Sequence, residues 1–177
     1  RSLMPEGCEL MPVVKANAYG HGAELIAMEL QKAGIHILCV ATAAEGAALR
    51  RKGIEIDILV LGYTHPEDFT LLRRYKLIQT VIDVPYARQL QQDGHSYRVH
   101  LGIDTGLHRL GVRAEEITQI EEIFQIKNLK IEGIYTHFAS AENTPDGIMT
   151  TSDQASRFYA LLAQLHKHGI SVPKYHL

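Results

Sequence analysis

The 177-residue sequence lacks most of what a specialised class would require. It has only two cysteines, Cys8 and Cys39, far apart and in no CxxC pair, which excludes a disulfide framework and a thiolate zinc site. It has no excess of one charge: 18 Lys and Arg against 20 Asp and Glu leave a formal charge of -2 and a pI near 6.6. A nucleic-acid partner is therefore not expected, because phosphate binding needs a strongly basic face. No apolar run approaches the ~18–20 residues that span a bilayer, so no membrane contact by this segment is expected. The dinucleotide pattern G-x-G-x-x-G does not follow the first apolar run, and the P-loop pattern is absent. The start carries no initiator Met, signal-peptide core or transit-type segment. Arg1-Ser2-Leu3-Met4-Pro5 reads as the last turn of a helix, and Lys174-Tyr175-His176-Leu177 as a strand just begun. A fragment of a longer protein is expected.

What is present is a 46% hydrophobic composition, enough for one core at this length. Short apolar runs recur between turn residues: Leu10 to Val14, Ile37 to Ala41, Ile56 to Leu61, Leu77 to Ile82, Tyr97 to Ile103, Leu129 to Tyr135 and a last beginning at Lys174. Their near-continuous Val/Ile/Leu content is that of strands covered on both faces. Cys39, inside the second run, reads as a small buried hydrophobe, consistent with a reducing, cytoplasmic compartment.

Helical patterns fill the gaps. In Asp153 to His168 the residues Ala155, Phe158, Tyr159, Leu162 and Leu165 keep a helix-face rhythm, and Gly169 follows as a left-handed cap. Ala114 to Ile126 repeats that rhythm, and Pro66 and Pro85 open helices near 66–75 and 85–93. Gly34, Gly53 and Gly94 close others. Strand–helix alternation predicts parallel strands joined by right-handed crossovers. The spacing of about one strand per 25–30 residues favours a TIM-type (β/α)8 barrel lacking its last unit over an open doubly wound sheet. One domain spanning residues 1–177 is expected.

In such a barrel, reactive groups gather where strands end. Those positions hold Lys15, Thr42, Gly62-Tyr63, Asp83, Asp104 and His137. A lysine ending an apolar strand is partly desolvated, which favours the free amine as nucleophile or base. Asp83 and Asp104 could form a carboxylate pair, but strand-end aspartates commonly cap the next loop, and that reading is preferred. His166 and His168 lack an acidic third ligand and read as solvated, so no metal site is expected. Cys8 and Cys39 have no neighbouring base, and Glu115-Glu116 and Glu121-Glu122 read as water-facing.

The segment Val13-Val14-Lys15-Ala16-Asn17-Ala18-Tyr19-Gly20-His21-Gly22 resembles the pyridoxal 5'-phosphate signature of the alanine racemase family. The resemblance continues through Leu59 to Gly62, Val99 to Gly111 and Glu132 to Ala141, in order, over essentially the whole chain. It implies most of the family's N-terminal barrel, with a C-terminal β-domain outside this chain. It implies that Lys15 holds the cofactor and acts as the base on one face of the substrate α-carbon. Tyr19 would bond the cofactor phosphate, and Arg109 the ring phenolate oxygen and the substrate carboxylate. His137 would lie beside the pyridine ring, holding an arginine. The second base would be a tyrosine of the β-domain of the other subunit of a homodimer, so this segment alone is expected not to racemise.

The implied activity is racemisation of alanine or serine, supplying D-amino acids for peptidoglycan. The stretch from Tyr75 to Ala87 looks like the membrane-anchored serine/alanine racemases linked to vancomycin resistance, whose catalytic part faces the cytoplasm. Two other readings keep the cofactor: a decarboxylase or aldolase of the same fold type, and a single-domain barrel of cofactor homeostasis without racemase activity. One departure stands out. Many family members carry a lysine, often carbamylated, where this chain has Gly102, so another group must orient Arg109.

Overall fold

The computed structural model describes residues 7–140 and 144–177, in two compact units, Arg1–Thr80 and Val81–Leu177. The expected helical turn over Arg1 to Pro5 lies outside the described residues, as does the Ala141 end of the fourth matching stretch.

In the first unit, a short helical turn α1 (Lys15–Tyr19) precedes α2 (Ala23–Lys32), β1 (Ile37–Val40), α3 (Ala43–Arg51) and β2 (Asp57–Val60). A 3-10 turn (Pro66–Asp68), α4 (Phe69–Arg74) and β3 (Ile78–Val81) follow. β1 pairs with β2, and β2 with β3, all parallel. Every residue of β1 and β3 is buried, as strands covered on both faces should be. Between α3 and the strands the backbone comes close: a Cβ at Gly46 would meet the Leu77 methyls at 3.0 Å.

The run Leu10 to Val14 is not a full strand. It makes a single parallel bridge, Val13 to Cys39, in which the Cys39 N–H donates to Pro12 O and the Val14 N–H to Cys39 O, both at 2.8 Å. Pro12 has no N–H to extend a ladder, and the chain turns off course immediately after Val14. The helix expected over 66–75 is likewise split, with the 3-10 turn set by Pro66 ahead of the α-helical part.

The second unit contains α5 (Val84–Gln92), β4 (Tyr97–Asp104), β5 (Val112–Arg113), α6 (Ile117–Phe124), β6 (Leu129–Thr136), α7 (Pro145–Lys167) and β7 (Tyr175–His176). β6 lies between β4 and β7, β5 pairs with the end of β4, and all pairings are parallel. The register slips between Val99 and His100, where His100 pairs with Gly133 and its ring would lie 2.8 Å from any Cβ there. Helix α7 starts eight residues before the expected Asp153, because Thr144 caps it and accepts the Gly147 N–H at 3.2 Å. Its apolar stripe is Phe158, Leu161 and Leu165, with polar Gln154 buried among them and Tyr159 turned to solvent.

Candidate active site

In the first unit, Lys15 is half-buried behind Val14, which is fully covered. The residues after it do something unusual for L-amino acids. Ala16, Asn17, Ala18 and Tyr19 all hold φ near +50°, a run of left-handed backbone closed by Gly20 at φ +90°. Such backbone costs on the order of 1–2 kcal/mol per non-glycine residue, so it persists only where surroundings enforce it. Here side chains pin both ends: Ala16 N–H donates to Glu45 Oε1 at 2.9 Å, and Ala23 N–H to Asn17 Oδ1 at 2.8 Å. The consequence is local. Lys15 sits at the head of the turn, and Tyr19 is carried out to 62% exposure.

Of the other strand-end candidates in this unit, Thr42 caps α3 and accepts the Glu45 N–H at 3.2 Å. Gly62 packs so closely on the residue after β1 that a Cβ would lie 2.5 Å from Ala41 O. Gln79, fully buried, was not among the expected residues. It accepts the Thr64 hydroxyl at 2.6 Å and donates to Gly62 O at 2.8 Å, fixing the loop that carries Tyr63. Burial pushes the Cys39 thiol up to about 12, consistent with an inert core residue.

In the second unit, Asp83 caps α5 by accepting the Tyr86 N–H at 2.7 Å. Asp104 organises the loop after β4: its carboxylate accepts the N–H groups of Gly106 at 2.9 Å and His108 at 3.0 Å. Burial alone would make the carboxyl a weaker acid, but the two backbone donors and the His108 ring outweigh that and hold it below its ordinary range. Both aspartates are caps, as preferred above. Arg109 follows on this loop, exposed, and among the described residues nothing hydrogen-bonds its guanidinium. Gly102 is buried within β4. Gly111, at φ +119°, lets β5 close against β4, since a Cβ would meet Gly102 O and Asp104 N at 2.9 Å.

His137 is exposed just past the end of β6. Its backbone is held by Gln154, which donates to His137 O at 3.3 Å and to Thr105 Oγ1 at 3.2 Å and accepts the Ala139 N–H at 2.8 Å. Gln154 thus ties the His137 segment to the start of the Arg109 loop. A glutamine in line with an apolar helix stripe was the signal that could have revealed it. His168 and Glu121, read as solvated, in fact hydrogen-bond each other across α7 and α6, and Glu122 pairs with Arg88 at 2.8 Å. Among the described residues no three His, Cys, Asp or Glu groups converge to hold a metal, and no helix is long and apolar enough to cross a membrane.

Comparison with known proteins converges. The family described as alanine racemase, N-terminal domain, matches residues 1–177. An amino-acid racemase of Enterococcus faecalis is 42% identical over all of this chain, which covers 25% of that relative. A serine/alanine racemase of Enterococcus gallinarum is 43% identical over 96% of the chain and 24% of its own length. The solved alanine racemase of Clostridium difficile 630 superposes with a TM-score of 0.92 at 33% identity, over 99% of this chain and 49% of that one. The chain therefore spans half or less of each of these three proteins, and its fold class is the TIM-type α/β barrel, truncated.

Proposed function

The chain belongs to the alanine racemase N-terminal domain family, and from that premise we propose that it is the cofactor-holding part of a pyridoxal 5'-phosphate-dependent amino-acid racemase. The observation that carries this reading is Lys15 presented at the head of an enforced left-handed turn, with Tyr19 exposed at its other end.

The donor set suits the cofactor. An aldehyde needs a primary amine, a phosphate monoester needs hydroxyl or N–H donors, and a phenolate needs a cation. Lys15, Tyr19 and Arg109 supply these from half-buried or exposed positions. When bound, pyridoxal phosphate supplies an electron sink that stabilises negative charge at the substrate α-carbon. Lys15 Nζ would hold the cofactor, and as a free amine it would take or return the α-proton on one face. Tyr19 Oη donates to the phosphate. The Arg109 guanidinium engages the phenolate oxygen and the substrate carboxylate, a planar match that lysine lacks. His137 would stand by the ring and hold a guanidinium there.

The substrate in this proposal is a small α-amino acid, alanine or serine, the two for which racemases similar to this chain are named. Inversion needs a proton donor on the opposite face, and we assign that to a tyrosine of a second subunit in a homodimer. The D-amino acid made would serve peptidoglycan, in the cytoplasm. The test is chiral analysis of product from the intact protein supplied with cofactor and L-alanine, L-serine or L-threonine. D-alanine or D-serine is expected; decarboxylated amine, or glycine and acetaldehyde from threonine, would overturn the racemase assignment.

A further inference from the structure

Glu45 sits thirty positions after Lys15, on α3, and forms half of a helix cap. The capping box is real: Glu45 N–H donates to Thr42 Oγ1 at 3.2 Å, and Thr42 N–H to Glu45 Oε2 at 3.4 Å. It does not account for the rest of what the carboxylate does. Oε2 also accepts the Ala41 N–H at 2.7 Å, and Oε1 accepts the N–H of Ala16, the residue after Lys15, at 2.9 Å. One carboxylate therefore receives three backbone donors from two separate segments. A group that only accepts is required here, since any donor in its place would face N–H groups.

The amide held by Oε1 belongs to the first of the four left-handed residues. An open pocket of about 260 Å³ borders the turn, lined by Val14, Asn17, Val40 and Glu45 among others. Hydrogen bonds, not close packing alone, keep the turn in its costly conformation. We propose that Glu45 is a positioning residue for Lys15: its carboxylate clamps the Ala16 amide, fixes the left-handed turn and so aims the lysine amine. The proposal rests on Lys15 being the cofactor-bearing group.

The test compares wild type, Glu45→Gln and Thr42→Ala in the intact protein. Gln offers one acceptor oxygen where two are used, so the clamp and the cap cannot both survive. Thr42→Ala weakens the cap and leaves the clamp. Two readouts are taken. One is the rate at which added pyridoxal phosphate becomes fixed on Lys15, sampled by timed borohydride reduction and mass spectrometry. The other is amide hydrogen exchange at Ala16 without cofactor. Glu45→Gln is expected to slow fixation and speed exchange, each about tenfold, the worth of a charge-assisted hydrogen bond. Thr42→Ala should stay within about twofold of wild type in both, while losing the melting temperature expected of a missing cap. Unchanged fixation and exchange in Glu45→Gln, or equal effects in both variants, would overturn the proposal. If Glu45→Gln does not fold, Glu45→Asp carries the same comparison, its carboxylate drawn back from Ala16 by one methylene. A wild type that fixes no cofactor at Lys15 refutes the cofactor reading, and the exchange measurement still decides the clamp.

Discussion

The Asp104 carboxylate accepts the backbone N–H of His108 at 3.0 Å and lies 3.1 Å from its ring Nδ1, one residue before Arg109. With the Gly106 N–H as a further donor, it freezes a loop in which His108 holds φ +57°. Gly102 offers Arg109 no side chain, and in the proposed site the loop braced by Asp104 is what presents the guanidinium. Asp104→Ala should cost about 1 kcal/mol, the loss of two loop-capping hydrogen bonds, one part-buried and one exposed. Because its carboxyl lies below its ordinary 3.8, the stabilisation is complete above that value and is lost as pH falls through the lower folded value. In steady-state kinetics of the intact protein, the variant should raise KM for the amino acid and leave cofactor fixation at Lys15 near wild type. An unchanged KM would remove the loop from substrate binding.

Gly111→Ala should be more damaging than its size suggests. The residue stands at φ +119°, and the new methyl would lie 2.9 Å from Asp104 N and Gly102 O. Both the conformation and the contact are unfavourable, which together predict a loss of about 2–3 kcal/mol and unpairing of β5. Urea unfolding of the variant measures it; a midpoint within error of wild type would contradict the close approach of β5 to β4.

His176 stacks on Tyr135 at 4.8 Å, and its Nε2 lies 2.9 Å from Nδ1 of buried His100. Burial, with the neighbouring His100, pushes the His176 imidazole down to about 3, from an ordinary 6.5. The folded form thus refuses a proton that the unfolded chain accepts. Stability from this pair is present above about 6.5 and declines as pH falls toward 3. Melting temperatures between pH 7.5 and 5 should therefore drop, and His176→Gln should flatten that slope. Equal slopes in both proteins would show that the pair is not the titrating element.

The parallel βα repeat, the helix-ending glycines and the capping aspartates were legible because each has a local cause in one to four residues. The family was legible for the same reason, in the ten contiguous residues around Lys15. The left-handed turn was not, since alanine and tyrosine carry no cue for positive φ; its cause is Glu45, brought near by the fold. Gln154 and Gln79 were missed because a buried amide reads as an interruption of an apolar pattern until its partners are seen. The strand expected over Leu10 to Val14 shrank to one bridge because Pro12 removes a donor from the ladder. The early part of α7 has no apolar stripe, with Ile148 and Met149 exposed, and only its Thr144 cap reveals where it starts.

The most direct test of the account is peptide mapping of the intact protein after pyridoxal phosphate and borohydride. A pyridoxyl adduct on Lys15, absent from Lys15→Ala, is the predicted result. An adduct on another lysine, or none while the fold is intact, would contradict it.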